Sequence, residues 1–137
     1  MKPILLVPMA GYGQRFLDRG YTTPKQFIEI GEKTMLEWSF NSFNWKDCEV
    51  IFIVRQDQIN SYQVDSKLKK LFGNNIKIVI AKKDTNGTVC SCLLAKKYID
   101  KDVPLGITTL DVYFRPHYNL NLIEQSNLDG CLLTIKT

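Results

Sequence analysis

The stretch Ile4-Leu5-Leu6-Val7-Pro8-Met9-Ala10-Gly11-Tyr12-Gly13-Gln14-Arg15 decides how this chain folds. An aliphatic run ends abruptly in a proline and a glycine-rich turn, the pattern of a buried strand that runs into a tight loop. Gly11 and Gly13 carry no Cβ, so the backbone there is free to approach a ligand closely or to take positive φ. Arg15 follows at once, and Pro24-Lys25 comes one loop later. Backbone N–H groups, a planar guanidinium fork and a compact ammonium gathered at a strand end are suited to binding a phosphate chain. Two better-known phosphate loops are excluded. A dinucleotide loop G-x-G-x-x-G fails because Phe16 stands where its last glycine belongs, and no G-K-[ST] tripeptide of a Walker A loop occurs.

Working outward from that stretch, apolar runs and helical patterns alternate. Strands are expected at Ile4–Val7, Val50–Val54, Ile76–Ala81, Leu105–Leu110 and Cys131–Ile135, each short and rich in Ile, Val or Leu. Thr34-Met35-Leu36-Glu37 reads as a capping box opening a helix, with Leu36, Phe40 and Phe43 on one face. Ile59, Tyr62, Leu68, Leu71 and Phe72 predict a second helix ended by Gly73, Thr88 to Ile99 a third, and Leu120 to Leu128 a weaker fourth. This alternation predicts an α/β fold with a mostly parallel sheet covered on both faces. Ligands of such sheets sit beyond the carboxyl ends of the strands, which sets the Gly11 turn, the Gly87 turn and Asp111 along one edge.

The 137 residues suffice for one domain with a genuine core, and 45% hydrophobic with 23% charged content is that of a soluble globular protein. A net charge of +4 with scattered lysines fits an anionic small ligand and a solvated surface equally. No basic run interleaved with aromatics marks a nucleic-acid groove, so no nucleic-acid partner is expected. The apolar N-terminal run is too short, and is broken by Pro8, to be a signal peptide or membrane span. Cys48, Cys90, Cys92 and Cys131 form no C-x-x-C pair, and the single His117 completes no metal set. They read as reduced thiols of a cytoplasmic protein.

Further positions carry chemistry. Gly87 permits close backbone approach and Thr88 is a good N-cap, so this turn is either a contact to a ligand or simply a well-made helix start. Asp111, after an apolar run, either meets a hard cation through oxygen or serves as turn chemistry. Tyr12 either covers a bound ligand or points to solvent. Trp38 and Trp45 read as packing, and Cys90 and Cys92 as ordinary helix residues.

Taken together, Pro8-Met9-Ala10-Gly11-x-Gly13-x-Arg15-Phe16, Pro24-Lys25 and Ile30-Gly31-x-Lys33-Thr34-Met35 resemble the nucleotidyltransferase family, which activates sugar 1-phosphates or related phosphates with an NTP. The resemblance implies a three-layer, Rossmann-like fold of the nucleotide-diphospho-sugar transferase type. It implies that Met9, Ala10, Gly11, Gly13, Gly87 and Thr88 contact the nucleotide. It assigns catalytic, phosphate-neutralising roles to Arg15 and Lys25, and Mg²⁺ binding to Asp111. The resemblance covers the chain as the N-terminal, nucleotide-binding portion of the family, with the acceptor half beyond residue 137, and an incomplete sheet would expose an edge that invites homodimerisation. Capsule or surface-polysaccharide precursors are the products the family suggests. An isoprenoid-pathway cytidylyltransferase shares the early motif and Pro24-Lys25-Gln26-Phe27, but carries an Arg and a Ser where this chain has Asn86-Gly87-Thr88-Val89. A glycosyltransferase would show D-x-D, whereas Asp111 precedes Val112-Tyr113. A nucleotide-binding module without catalysis is the remaining alternative.

Overall fold

The computed structural model describes residues 1–115, 120, 127 and 129–132. In chain order its elements are β1 (Ile4–Pro8), α1 (Gln14–Leu17), β2 (Glu29–Ile30), β3 (Lys33–Thr34), α2 (Met35–Phe40), β4 (Glu49–Arg55), α3 (Gln56–Tyr62), α4 (Val64–Phe72), β5 (Lys77–Ala81), α5 (Thr88–Leu93) and β6 (Leu105–Ile107). The main sheet has the order β5-β4-β1-β6 and every pairing in it is parallel, while β2 and β3 form a small antiparallel hairpin. The expected strand Cys131–Ile135 and helix Leu120 to Leu128 fall largely outside the described residues, as does His117.

The central strands β1 and β4 are continuous apolar runs because both of their faces are covered. The outer strands leave Ile80, Leu105 and Ile107 exposed, and the strand expected over Leu105–Leu110 ends at Ile107. Leu5 and Val7 of β1 and Val50, Phe52 and Val54 of β4 pack under Leu36, Phe40, Val64 and Leu68 of α2 and α4. Phe40 stacks on Phe52 with ring centres 5.5 Å apart. The alternate residues Ile4, Leu6, Ile51 and Ile53 face the other way, toward Cys92 of α5 and Ala95 just after it. Helix, sheet, helix: these are the three layers expected of a Rossmann-like fold, and burying each such aliphatic side chain stabilises it by about 1.5–3 kcal/mol.

Three expectations are corrected. The helix expected across 59–72 is two helices, because Gln63 takes φ 53° and turns the chain between α3 and α4. Gly87, at φ 96°, is the N-cap of α5, and Thr88 is its first helical residue. That helix stops at Leu93, and a single 3₁₀ turn, Lys96–Tyr98, carries the chain on toward β6.

The capping box of α2 is complete: the Thr34 hydroxyl accepts from the Glu37 N–H at 3.3 Å, and the Glu37 carboxylate accepts from the Thr34 N–H at 2.9 Å. Thr34→Ala is expected to cost about 1 kcal/mol in urea unfolding, the usual loss of a cap side chain. An unchanged midpoint would mean that water replaces the cap at no cost.

Candidate functional site

The chain passes from β1 outward to β4 and β5 on one side and returns to β6 on the other, so the sheet changes direction between β1 and β6. Loops leaving adjacent strands on opposite sides part there and leave a crevice at the carboxyl ends. Pro8 widens it. Ile4 N–H donates to Pro104 O, so the even positions of β1 turn their amides toward β6, and at Pro8 there is no N–H and β6 has already ended. On the opposite side Met9 N–H still holds β4, donating to Ile53 O at 2.8 Å. Met9, expected among the nucleotide contacts, packs in the core at 2% exposure.

The glycine turn that follows is fixed from below by β4 and α3. Gln58, buried, donates through Nε2 to Gly11 O at 3.2 Å. Arg55, at the very end of β4, is buried beneath Tyr12, its guanidinium carbon 3.2 Å from the ring centre. It donates through Nε to Asp57 at 2.8 Å and lies 3.7 Å from Asp84, so two carboxylates offset its desolvation. The Tyr12 hydroxyl in turn donates to both oxygens of Asp84. Of the two turn glycines only Gly13 takes positive φ, 65°, and it caps α1. The aliphatic stem of Lys25 packs against it, 3.7 Å from where a Cβ would stand.

Two spaces open above this floor. One, of about 180 Å³, lies between Ala10, Gly11 and Tyr12 on one side and Asp84, Gly87 and Thr88 on the other. Its back is stiffened by the Thr85 and Ser91 hydroxyls, 2.5 Å apart, with Ser91 also donating to Gly87 O. The other, about 620 Å³, is lined by Arg15, Arg19, Tyr21 and Asp111 among others. At its rim Lys25 Nζ sits 3.4 Å from Asp111 Oδ2, with side-chain exposures of 26% and 53%. A half-exposed pair of this kind is worth no more than about 1 kcal/mol, so either partner can exchange it for a ligand at little cost. Among the described residues Arg15 has no ion-pair partner.

The structure therefore brings the Gly11 and Gly87 turns to the two walls of one cavity, and Lys25 to Asp111, with Arg15 alongside. Sequence reasoning left Tyr12 open and missed Arg55, Gln58 and Asp84. The one signal available was Arg55 itself, a charge closing an otherwise apolar strand. No group of three or more His, Cys, Asp or Glu among the described residues makes a closed metal site. A single exposed carboxylate fits Mg²⁺ nonetheless, because that ion is usually held by one or two carboxylates together with substrate phosphates and water. No helix among the described residues is long and apolar enough to cross a membrane.

Residues 2–135 match the family described as nucleotidyl transferase, and the chain belongs to that family. Its fold is similar to the nucleoside-diphosphate-sugar pyrophosphorylase of Vibrio cholerae RC9, at TM-score 0.67 and 30% identity over 83% of this chain and 49% of that one. The inositol-1-phosphate CTP transferase of T. maritima shares the fold at TM-score 0.67 and 19% identity, covering 82% of this chain and 45% of that one. A stretch of 42 residues, 31% of this chain, is 50% identical to 17% of 2-C-methyl-D-erythritol 4-phosphate cytidylyltransferase of Neisseria meningitidis serogroup C / serotype 2a. The chain thus spans about half the length of these solved structures.

The Tyr12 phenol is held above its ordinary pKa, chiefly because its O–H donates to Asp84, with desolvation adding to this and the Arg55 charge opposing it. The folded state then binds this proton more tightly than the unfolded chain does. The stabilisation is complete below the ordinary phenol pKa of about 10 and is lost as pH rises through the higher folded value. Tyr12→Phe should lower the thermal midpoint by the same amount at pH 7 and pH 9, and the gap to the native chain should close above pH 10. A gap independent of pH would rule the contact out.

Proposed function

We propose that this chain forms the nucleotide-activating site of an enzyme that transfers NMP from an NTP to a sugar 1-phosphate or related phosphate, releasing pyrophosphate. The observation that carries this reading is the Lys25–Asp111 pair at the rim of the crevice, next to the glycine turn that Gln58 and Arg55 hold down. The cavity between the Gly11 and Gly87 turns would receive the nucleoside, with Ala10, Gly11, Gly87 and Thr88 in contact and Tyr12 closing one side. Gly13 sets the α1 start and the path of the Lys25 stem, so it acts on the phosphates through Lys25.

The reaction is displacement at the α-phosphorus by a phosphate oxygen of the acceptor. It asks the protein for little covalent work, so positioning and charge stabilisation carry the rate. Arg15 and Lys25 would neutralise the triphosphate and the charge gathering on departing pyrophosphate. For that, Lys25 has to leave Asp111 for phosphate, which the weakness of an exposed pair allows. Asp111, once released, would hold Mg²⁺, which when bound neutralises phosphate charge. A cytoplasmic role in making polysaccharide precursors is the setting that the sugar-pyrophosphorylase likeness supports. A second reading, transfer of CMP to a sugar-alcohol phosphate, is favoured by the 50% identical stretch shared with the methylerythritol phosphate cytidylyltransferase.

Thermal shift with each of the four NTPs, with and without Mg²⁺, tests the reading on the chain and on Lys25→Ala. Ligand at about 100 times its Kd should add roughly 2.7 kcal/mol of stability, seen as a rise that needs Mg²⁺ and is lost in the variant. CTP alone giving the shift, followed by pyrophosphate release with a sugar-alcohol phosphate and not with a sugar 1-phosphate, would select the second reading. A shift equal in Lys25→Ala, or none with any NTP, would refute the assignment.

A further inference from the structure

Arg19 lines the larger crevice together with Arg15, four residues earlier in the chain. That spacing sets two side chains on one face of a helix, a turn and about 6 Å apart along its axis. The chain keeps its helical sense past the end of α1: Asp18 N–H donates to Gln14 O at 2.9 Å and Arg19 N–H to Phe16 O at 3.1 Å. Gly20, at φ 84°, then reverses the chain. Tyr21 N–H thereby reaches Phe16 O at 3.1 Å, and the two rings pack edge to face with centres 5.7 Å apart. Arg19 is thus an exposed side chain on a turn held by backbone hydrogen bonds and an aromatic pair. Two carboxylates share the crevice, and both are engaged elsewhere. Asp18 accepts from Gln14 Nε2 at 2.7 Å, and Asp111 faces Lys25 at 3.4 Å. Among the described residues Arg19, like Arg15, has no ion-pair partner. Like charges four apart on a helix destabilise it slightly, and an anion lying between them reverses the sign.

A phosphate chain leaving the nucleoside cavity at Gly11 would reach Arg15 in the first turn of α1 and Arg19 one turn farther out. We propose that Arg19 binds the terminal phosphate of the NTP and so sets the length of phosphate chain that the site prefers. The inference rests on the nucleotide-transfer reading above and adds one residue to it. Arg15 and Lys25 act along the phosphate chain, and the Arg19 fork is reached only by a triphosphate. The terminal phosphate departs within pyrophosphate, so Arg19 never meets the α-phosphorus. Its work is to select NTP over NDP and to hold the end of the leaving group.

Calorimetric titration of the intact chain with the mono-, di- and triphosphates of adenosine, guanosine, cytidine and uridine, each with Mg²⁺, tests this. For the base it prefers, the native chain should bind the triphosphate about tenfold more tightly than the diphosphate, the worth of one exposed charge-assisted contact. Arg19→Ala should weaken the triphosphate by that factor and leave the di- and monophosphate unchanged. Arg19→Lys keeps the charge and loses the fork, so it should restore part of the preference, and it reads the same quantity if Arg19→Ala unfolds. Added salt should narrow the native preference, since an exposed contact is screened. Arg15→Ala should weaken di- and triphosphate alike. Equal native affinity for the two, a preference that survives in Arg19→Ala, or equal weakening of all three nucleotides there overturns the role of Arg19 and leaves the nucleotide site standing. Failure of every nucleotide to bind the native chain, or triphosphate binding unchanged in Lys25→Ala, overturns the transfer reading and this inference with it.

Discussion

The rest of this structure depends on one constraint: β1 lies between two parallel neighbours that the chain reaches by leaving in opposite directions. Because the strands run the same way, their following loops must emerge on one edge, and because β4 and β6 lie on opposite sides of β1, those loops must part. The sequence chemistry of β1 serves both requirements. Leu5, Leu6 and Val7 are fully buried, with alternate side chains entering the two cores, so the strand cannot slip by one residue without exchanging its faces. Pro8 then removes the amide that would otherwise reach toward the end of β6.

On that edge a buried cation sets the floor. An arginine at 7% exposure is costly to desolvate, and the structure offsets the cost with Asp57 and Asp84 on either side and an aromatic face above. The arrangement ties the end of β4 to the turn after β1 and to the loop before α5, three segments far apart in sequence. A loop rich in glycine gains a defined position in this way without losing the small residues that let a ligand come close.

How much of this was legible follows from the range of each interaction. The strand–turn junction at Val7-Pro8 and the capping box at Thr34 and Glu37 are local patterns, and both stand in the structure as read. The break at Gln63 was not legible, because an apolar helical spacing runs across it and a glutamine in the left-handed region carries no sequence mark. Thr88 is a good capping residue, yet the positive φ needed at that turn goes to Gly87, so capping propensity yielded to backbone geometry. Tyr12 and Asp84 lie 72 residues apart, and Gln58 and Gly11 lie 47 apart. No periodicity within one element reports contacts of that separation. Met9 was placed by a motif that describes a backbone turn, and its side chain went to the core as the strand alternation requires.

Burial divides the labour between the parts of the site. Gln58 and Arg55, which hold the turn, are buried, and removing a partner there would leave a polar group unsatisfied out of reach of water. Lys25 and Asp111 are half-exposed, and water can replace either partner. In the proposed transfer phosphate would exchange at contacts of this second kind, since a pair desolvated as deeply as Arg55 would resist each exchange by several kcal/mol.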